Sequence, residues 1–110
     1  LHAMKNRVQL IGNVGNDPEI KNLDGGKKLA NLTIATNESY KNDKGEKVEQ
    51  TEWHRVVAWG KTAEIIEKYV TKGNQVAIEG KLSHRSYDDK NGEKRYITEI
   101  VVNELLMLGK

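Results

Sequence analysis

The sequence contains no cysteine and no phenylalanine, and it has a single proline. Without cysteine the chain has no disulfide framework, thiolate zinc site or cysteine nucleophile, and it suits a reducing compartment. Hydrophobic residues make up 36% of the chain, and no apolar run approaches the ~20 residues of a membrane span. The first residues lack the apolar core and cleavage site of a secretory signal, so we expect a cytoplasmic protein.

The chain also lacks a large excess of positive or negative charge. Eighteen lysine and arginine residues face 16 aspartate and glutamate residues, which gives a net charge of +2. A strongly basic domain would by itself indicate a polyanionic partner, and this balance does not. With 110 residues, 31% of them charged, the chain is typical of one compact domain. We assign residues 4–110 to that domain and interpret residues 1–3, ahead of Met4, as a remnant of cloning.

Hydrophobic periodicity predicts five long strands and one helix. Alternating apolar residues mark the strands, while Asp24-Gly25-Gly26 and Asn91-Gly92 are turn signals typical of hairpins. Apolar residues at helical spacing follow the third strand, with Thr62 as the expected N-cap. We interpret 41–50 as an exposed loop or hairpin tip and 19–23 as a short segment leading into the first hairpin. The predicted strands are 7–14, 28–40, 51–59, 75–86 and 94–108, and the predicted helix is 62–71.

This order of elements predicts an all-β fold with a single helix between the third and fourth strands. It matches the five-stranded Greek-key barrel called the OB-fold. Other small barrels share the same order of strands and helix. The OB-fold is therefore our expectation for the architecture.

Catalysis and a bound metal or cofactor find no support in the sequence. Gly60-Lys61-Thr62 resembles the end of a phosphate-binding loop, but that loop needs a glycine where Arg55 stands. The three histidines lie far apart in the chain, and a zinc site needs three or four converging ligands. No serine, histidine and aspartate have a context typical of nucleophilic catalysis. We therefore expect no catalytic residue, no metal and no cofactor.

The few aromatic residues give the strongest indication of function. Alternation places Trp53, Arg55 and Trp59 on one face of the third strand, while the opposite face offers apolar side chains to a core. Large aromatic side chains are often buried, so a core position for both tryptophans is the competing interpretation. A buried, unpaired Arg55 between them would be costly, which favours an exposed face.

Two tyrosines extend this pattern, because Lys41 follows Tyr40 and Arg85 lies just before Tyr87. Exposed rings interleaved with Lys and Arg suit a single strand of nucleic acid, since each unpaired base offers a flat face and each phosphate needs a cation. Duplex DNA hides those faces. We expect lysines on the two hairpins to extend the cationic track at positions 44, 47, 90 and 94.

Two other functions fit a small β-barrel. A protein-interaction module would use Trp53 and Trp59 as a patch for a protein partner, and it would show no affinity for oligonucleotides. A small hydrolase or nuclease would need clustered carboxylates or a metal, and it would cleave labelled single strands in the presence of magnesium.

The segment Thr51-Glu52-Trp53-His54-Arg55-Val56-Val57, followed by Trp59-Gly60-Lys61, resembles the bacterial single-stranded DNA-binding proteins. The resemblance extends over nearly the whole chain from Met4. Further segments that carry it are Asn6-Arg7-Val8, Leu10-Ile11-Gly12-Asn13, Gly15-Asn16-Asp17-Pro18-Glu19, Ala30-Asn31-Leu32-Thr33 and Val76-Ala77-Ile78-Glu79-Gly80.

The resemblance implies an OB-fold that assembles as a homotetramer and wraps single-stranded DNA without sequence preference. It implies protection of that strand during DNA replication, recombination and repair, in the bacterial cytoplasm and associated with the nucleoid, with neither catalysis nor a cofactor. The family's stacking aromatics fall on Tyr40, Trp53, Trp59 and Tyr87, and its phosphate contacts fall on Arg7, Arg55, Lys61, Lys72 and Arg85. To these the aromatic pattern adds Lys41.

The sequence departs from the family pattern in a few places. Tyrosine stands at 40 and 87 where tryptophan is usual, and Trp59 stands where phenylalanine is usual. His54 matches a position at the subunit interface, and Ala77 replaces an aromatic residue near it. The family usually continues into a flexible tail whose acidic, hydrophobic tip recruits replication and repair enzymes. No such tip precedes Lys110, so we do not expect this chain to recruit them.

Overall fold

The computed structural model describes residues 4–109, so the segment interpreted as a cloning remnant lies outside the described residues. Six strands and one helix make up the fold, and a short 3-10 turn at Asp24–Gly26 joins the second strand to the third. The elements are β1 (Val8–Val14), β2 (Glu19–Leu23), β3 (Lys27–Lys41), β4 (Lys47–Trp59), α1 (Gly60–Tyr69), β5 (Gln75–Asp88) and β6 (Lys94–Gly109).

The strands form one sheet in the order β1-β5-β6-β4-β3-β2. β1 also pairs with β3 at Asn13↔Ala35 and Val14↔Ile34, which closes five strands into a barrel and leaves β2 on the outer edge of β3. β4 and β6 pair in parallel, and the other neighbours are antiparallel. The helix α1 follows the third barrel strand and precedes the fourth. This is the OB-fold, so the predicted fold class is confirmed.

The interior of the barrel is aliphatic throughout. Ala63 and Ile66 on α1, and Val70 just after it, pack against the inward-facing residues of the strands. None of the six aromatic residues of the chain belongs to this core, because each of them is exposed. β-branched and leucine side chains suit the pleated inner surface. The strand residues of the core are Val14, Ala30, Leu32, Ile34, Val56, Ala58, Val76, Ile78, Ile100 and Val102.

Two glycines allow neighbouring strands to approach closely. A Cβ on Gly12 would lie 2.3 Å from the carbonyl oxygen of Ala35, and a Cβ on Gly80 would lie 2.1 Å from that of Val101. The register of β5 against β6 also shifts between Glu79 and Gly80, and such a bulge bends a strand. The absence of a side chain at both positions therefore helps the sheet to curve and close.

The structure differs from the sequence-based prediction at the first two hairpins. β3 continues to Lys41 and β4 begins at Lys47, so residues 42–46 are the hairpin tip, while the other half of segment 41–50 is strand. These residues are largely exposed on both faces, because this hairpin lacks the core contacts of the barrel strands, and the apolar alternation that predicts a strand is missing. Segment 19–23, expected to be a short lead-in, forms β2 and pairs with β3.

The helix begins earlier than predicted, so the prediction of Thr62 as N-cap is wrong. Trp59 is the N-cap and makes no side-chain capping bond, while Gly60, at φ +62°, turns the chain directly from β4 into α1. The helix ends at Tyr69, and the backbone N–H of Val70 donates to the carbonyl of Ile66. Within residues 4–109, no helix has the length and apolar character needed to cross a bilayer.

Candidate nucleic-acid interface

All four aromatic side chains predicted to stack on bases are exposed. The exposed fraction is 64% for Trp53, 46% for Trp59, 53% for Tyr40 and 47% for Tyr87. The competing interpretation, in which the tryptophans face the core, is therefore wrong. Their rings are available to a flat ligand on the outside of the barrel.

β4 presents two faces of different chemistry, as its alternation predicts. Val56 and Ala58 are completely buried in the barrel, whereas Trp53, Arg55 and Trp59 lie on the outer face and are exposed. Val57 shares that outer face but is buried, because it lies between Asn31 of β3 and Val101 of β6 in the register of the sheet. It supplies an apolar floor between the two tryptophans.

The indole of Trp53 lies against a glycine. A Cβ on Gly15 would come within 2.4 Å of Cζ3 of Trp53, so only a glycine leaves room for the ring in this position. The side chain of Asn16 fixes the adjacent backbone, because its Oδ1 accepts hydrogen bonds from both N and Oγ1 of Thr33, each at 2.8 Å. The N–H of Gly15 in turn donates to the carbonyl of Thr33 at 2.9 Å. The site of Trp53 is thus built by the junction of β1 with β3.

Three adjoining depressions lie on the outer face, and each pair of them has Arg55, Arg85 or Glu99 in common. We call the three together the cationic groove. One holds Arg55 and Arg85 with Lys21 of β2, and a second holds Trp53, Arg55 and Glu99. The third, of about 510 Å³, lies beside Trp59. It is lined by Lys21, Leu23, Leu29, Asn31, Val57, Trp59, Ser83, Arg85, Glu99 and Val101.

Arg85 is held in the groove by a buried carboxylate. Its Nε donates a hydrogen bond of 2.7 Å to Oε1 of Glu99, and the Arg85 side chain remains 53% exposed. This hydrogen bond, reinforced by the negative charge of Glu99, raises the pKa of Arg85 above its ordinary value. The guanidinium is thus a permanent cation, and it makes no further hydrogen bond within residues 4–109.

The remaining predicted cations are spread around the barrel. Arg7 is paired with Glu79 of β5 and does not line the cationic groove. Lys61 is exposed in the first turn of α1, and Lys72 is exposed in the loop after it, where its backbone N–H donates to Oδ1 of Asp17 at 3.0 Å. Lys41 is exposed at the end of β3. Their contacts with phosphate stay predictions.

The two tyrosines lie on hairpins that reach beyond the barrel. Tyr40 pairs with Val48 between β3 and β4, and Tyr87 pairs with Arg95 between β5 and β6. Arg95 Nε donates to Oδ2 of Asp89 at 2.8 Å, and this hydrogen bond lowers the pKa of Asp89 below its ordinary value. Arg95, the cross-strand partner of Tyr87, is therefore a cation held in place by the hairpin turn.

His54 lies at the edge of the barrel, on the face of β4 opposite to Trp53. It is half-buried, and its Nε2 forms a hydrogen bond of 2.9 Å with Oγ1 of Thr36. Its place at a subunit interface stays a prediction. Within the described part of the chain, no group of three or more His, Cys, Asp or Glu residues is arranged to hold a metal ion.

Sequence reasoning missed four features of this face. Glu99, Lys21 and Asn31 line the groove, and Gly15 supports Trp53. Alternation along β6 would have placed Glu99 on the same face as Val101, and the Asn91-Gly92 turn would have brought it near Arg85. The position of Gly15 under Trp53 depends on the closure of β1 onto β3, which no local pattern predicts.

Comparison with known proteins identifies the family. Residues 5–108 match the sequence model of the single-strand binding protein family. The chain belongs to that family. A single-stranded DNA-binding protein 1 of Chlorobaculum tepidum is 52% identical over 105 residues, which cover 94% of this chain and 65% of the relative. The chain thus spans less than two thirds of the length of that relative.

Two further members of the single-strand binding protein family agree with the assignment. A single-stranded DNA-binding protein 1 of Xylella fastidiosa is 47% identical over 109 residues, covering 98% of this chain and 80% of the relative. A solved structure, described as a Plasmodium falciparum SSB complex with ssDNA, superposes with a TM-score of 0.86 at 37% identity and 94% coverage of both chains. The OB-fold of this family is therefore the fold of this chain.

Proposed function

We propose that this chain binds single-stranded DNA without a strict sequence requirement and protects it during DNA replication, recombination and repair. One observation carries the proposal: all six aromatic side chains are exposed, and two of them, Trp53 and Trp59, flank Arg55 in a groove. Unpaired bases stack on such rings while cations neutralise their phosphates. Membership of the single-strand binding protein family, and the relatives named for single-stranded DNA, support it.

The proposal assigns stacking to Tyr40, Trp53, Trp59 and Tyr87 and phosphate contacts to the predicted cations. Arg55 and Arg85 are central, because both line the cationic groove next to the tryptophans. The contacts at the periphery of the site are then Arg7, Lys41, Lys61 and Lys72. A strand that reaches the tyrosines and the groove passes over the outer faces of two hairpins and of β4. Catalysis has no part in this proposal, and the protein-interaction alternative is not favoured by the family to which the chain belongs.

Titration with oligo-dT, followed by tryptophan fluorescence, tests the function. Bases stacked on Trp53 and Trp59 quench the emission, and excess duplex of the same length does not compete, because its base faces are hidden. Raising the salt concentration weakens binding, with a log–log slope of about −0.7 per phosphate neutralised. Unchanged emission at saturating oligonucleotide, or equal competition by duplex, would contradict the proposal.

We further propose that the chain acts as a homotetramer in the bacterial cytoplasm, associated with the nucleoid. The support is a row of aliphatic side chains on the outer face of β1, β5 and β6, which we call the aliphatic stripe. Ile11 pairs with Ala77, and Ala77 pairs with Leu106, so the three lie side by side across the strands. Ile11 and Leu106 are more than half exposed, and exposed apolar surface of this kind commonly marks an interface. Mass determination of the free protein tests the tetramer.

A further inference from the structure

Glu99 is the one buried charged residue within residues 4–109, and it lies in the cationic groove. It is 5% exposed. Because Ile100 pairs with Val56, Glu99 is placed beside Arg55, between Trp53 and Trp59 along β4. It lines both the depression that holds Trp53 and the one that holds Trp59. A carboxylate in the middle of a groove for a polyanion requires an explanation, since it repels phosphate.

Only one of the two carboxylate oxygens of Glu99 has a partner. Oε1 accepts the hydrogen bond from Arg85, whereas Oε2 is buried and receives no hydrogen bond from residues 4–109. A buried acceptor without a donor is costly, and proteins seldom keep one without a use for it. A donor on a ligand bound in the groove would satisfy Oε2.

The negative charge of Glu99 selects which part of a nucleotide lies against it. A phosphate is repelled, whereas an N–H donor on a base edge is attracted and forms a charge-assisted hydrogen bond. Cytosine, adenine and guanine carry an exocyclic amine, while thymine and uracil carry a carbonyl oxygen where cytosine carries its amine. The one N–H on that edge of thymine and uracil is on the adjacent ring nitrogen, so at the place of the amine they offer Oε2 only another acceptor. Proteins read such edges on single strands once the bases are stacked on aromatic side chains.

We propose that Oε2 of Glu99 accepts a hydrogen bond from the exocyclic amine of a base stacked in the cationic groove. The inference rests on the strand binding proposed above. At this one position the contact adds a preference for an amino-bearing base over thymine or uracil, while stacking elsewhere accepts every base. Oε2 is shielded from solvent, so a neighbouring side chain must move aside as the base enters. Arg55 is suited to this movement, because it is exposed, lines the same depression and forms no salt bridge within the described residues.

Oligo-dC and oligo-dU of equal length test the inference, because their bases differ only at the 4-position and the adjacent ring nitrogen. The quantity to compare is the Kd for oligo-dU divided by the Kd for oligo-dC, measured by tryptophan quenching. Glu99→Ala should lower this ratio about three- to tenfold relative to the unsubstituted protein, the loss expected for one base-edge contact. Glu99→Gln should lower it at least as far, because the amide can donate to the carbonyl of uracil.

Dividing the variant's ratio by that of the unsubstituted protein cancels differences in stacking between the two oligonucleotides. Glu64→Gln, which makes the same change of charge at an exposed position of α1, should leave the ratio unchanged. If it lowers the ratio as Glu99→Ala does, charge alone is responsible and the inference is overturned.

The outcomes separate this inference from the proposed function. Failure of the unsubstituted protein to bind either oligonucleotide overturns the proposed function. Binding of both with the same ratio in Glu99→Ala, including a uniform tightening from the lost negative charge, overturns the inference alone. Circular dichroism checks the fold of each variant, and if Glu99→Ala is unfolded, the ratio for Glu99→Gln decides in its place.

Discussion

The cationic groove and the aliphatic stripe lie on the outside of the same barrel, and they differ in almost every property. The groove exposes two indole rings beside two arginines, with one buried carboxylate. The stripe exposes aliphatic side chains, and the next row of paired residues beside it includes Glu79 and Glu104. A flat, anionic ligand suits the first surface, whereas the second suits another aliphatic surface. The aliphatic barrel interior does not distinguish the two surfaces. The outward-facing residues alone determine which kind of ligand or partner each surface suits.

Removing both indole rings should cause the largest loss of oligonucleotide affinity. The double variant Trp53→Ala/Trp59→Ala should lose roughly 2–6 kcal/mol of binding free energy for oligo-dT, since each stacked base contributes about 1–3 kcal/mol. Anisotropy of a labelled oligonucleotide measures this loss, because the variant has no tryptophan. Tyr69→Ala, which removes an exposed ring on α1, is the matched control. An equal loss in that control would contradict the separation of the two surfaces.

A charge in the aliphatic stripe should disrupt assembly and spare the groove. Leu106→Lys places an ammonium group on a surface that we propose to be covered, at a cost of about 2 kcal/mol or more per covered site. Light scattering should show a smaller species at concentrations where the unsubstituted protein is a tetramer. The tryptophan emission of the free protein should be unchanged. A tetramer of unaltered stability would show that the stripe is not the interface.

A methyl group packed against the indole of Trp53 should weaken oligonucleotide binding less than removal of the rings does. Gly15→Ala places a methyl group 2.4 Å from Cζ3 of Trp53 and 2.9 Å from Oγ1 of Thr33, and the exposed ring can shift to relieve the closer contact. We therefore expect a loss of about 1 kcal/mol of binding free energy, part of one stacking contact, with little change in Tm. In a Trp53→Ala background the same substitution should cost nothing further. A loss of the same size in that background would show that Gly15 acts independently of Trp53.

Neutralising one arginine of the groove should act mainly through salt dependence. Arg55→Gln should make the log–log slope of affinity against salt less steep by about 0.7, the value for one phosphate contact on a single strand. Arg55 suits this test because its removal leaves no buried carboxylate unpaired, unlike the removal of Arg85. Lys68→Gln, an exposed position on α1, should leave the slope unchanged.

The smallest effect concerns the hairpin that carries Tyr87. The hydrogen bond from Arg95 lowers the pKa of Asp89, so its stabilisation is present above the ordinary aspartate pKa of about 3.9 and is lost as pH falls through the lower folded value. The Tm of Asp89→Asn should therefore approach that of the unsubstituted protein on acidification below pH ~4. At neutral pH the variant should melt slightly lower. A constant difference in Tm across this range would contradict the assignment.

The sequence predicted most of the fold and the centre of the groove, because strand alternation is a local property. Trp53, Arg55 and Trp59 share a face of β4 for that reason, and the barrel order follows from the strands and the single helix. Within segment 41–50 the exposed hairpin tip agrees with the prediction, and the strand residues beside it were missed because a hairpin without core contacts does not need an apolar face. Glu99 and Gly15 were missed because their partners, Arg85 and Trp53, are brought to them by sheet register and barrel closure, which are non-local.

The aliphatic interior has a consequence for how this protein is observed. Since neither tryptophan packs in the core, both indoles are in contact with water before and after the chain unfolds. Heating should therefore move the wavelength of maximum emission very little, even while circular dichroism records a cooperative loss of strands. A melting curve followed by tryptophan fluorescence would therefore show no clear unfolding transition, even for a well-folded protein. Tryptophan emission is better used to detect ligand binding.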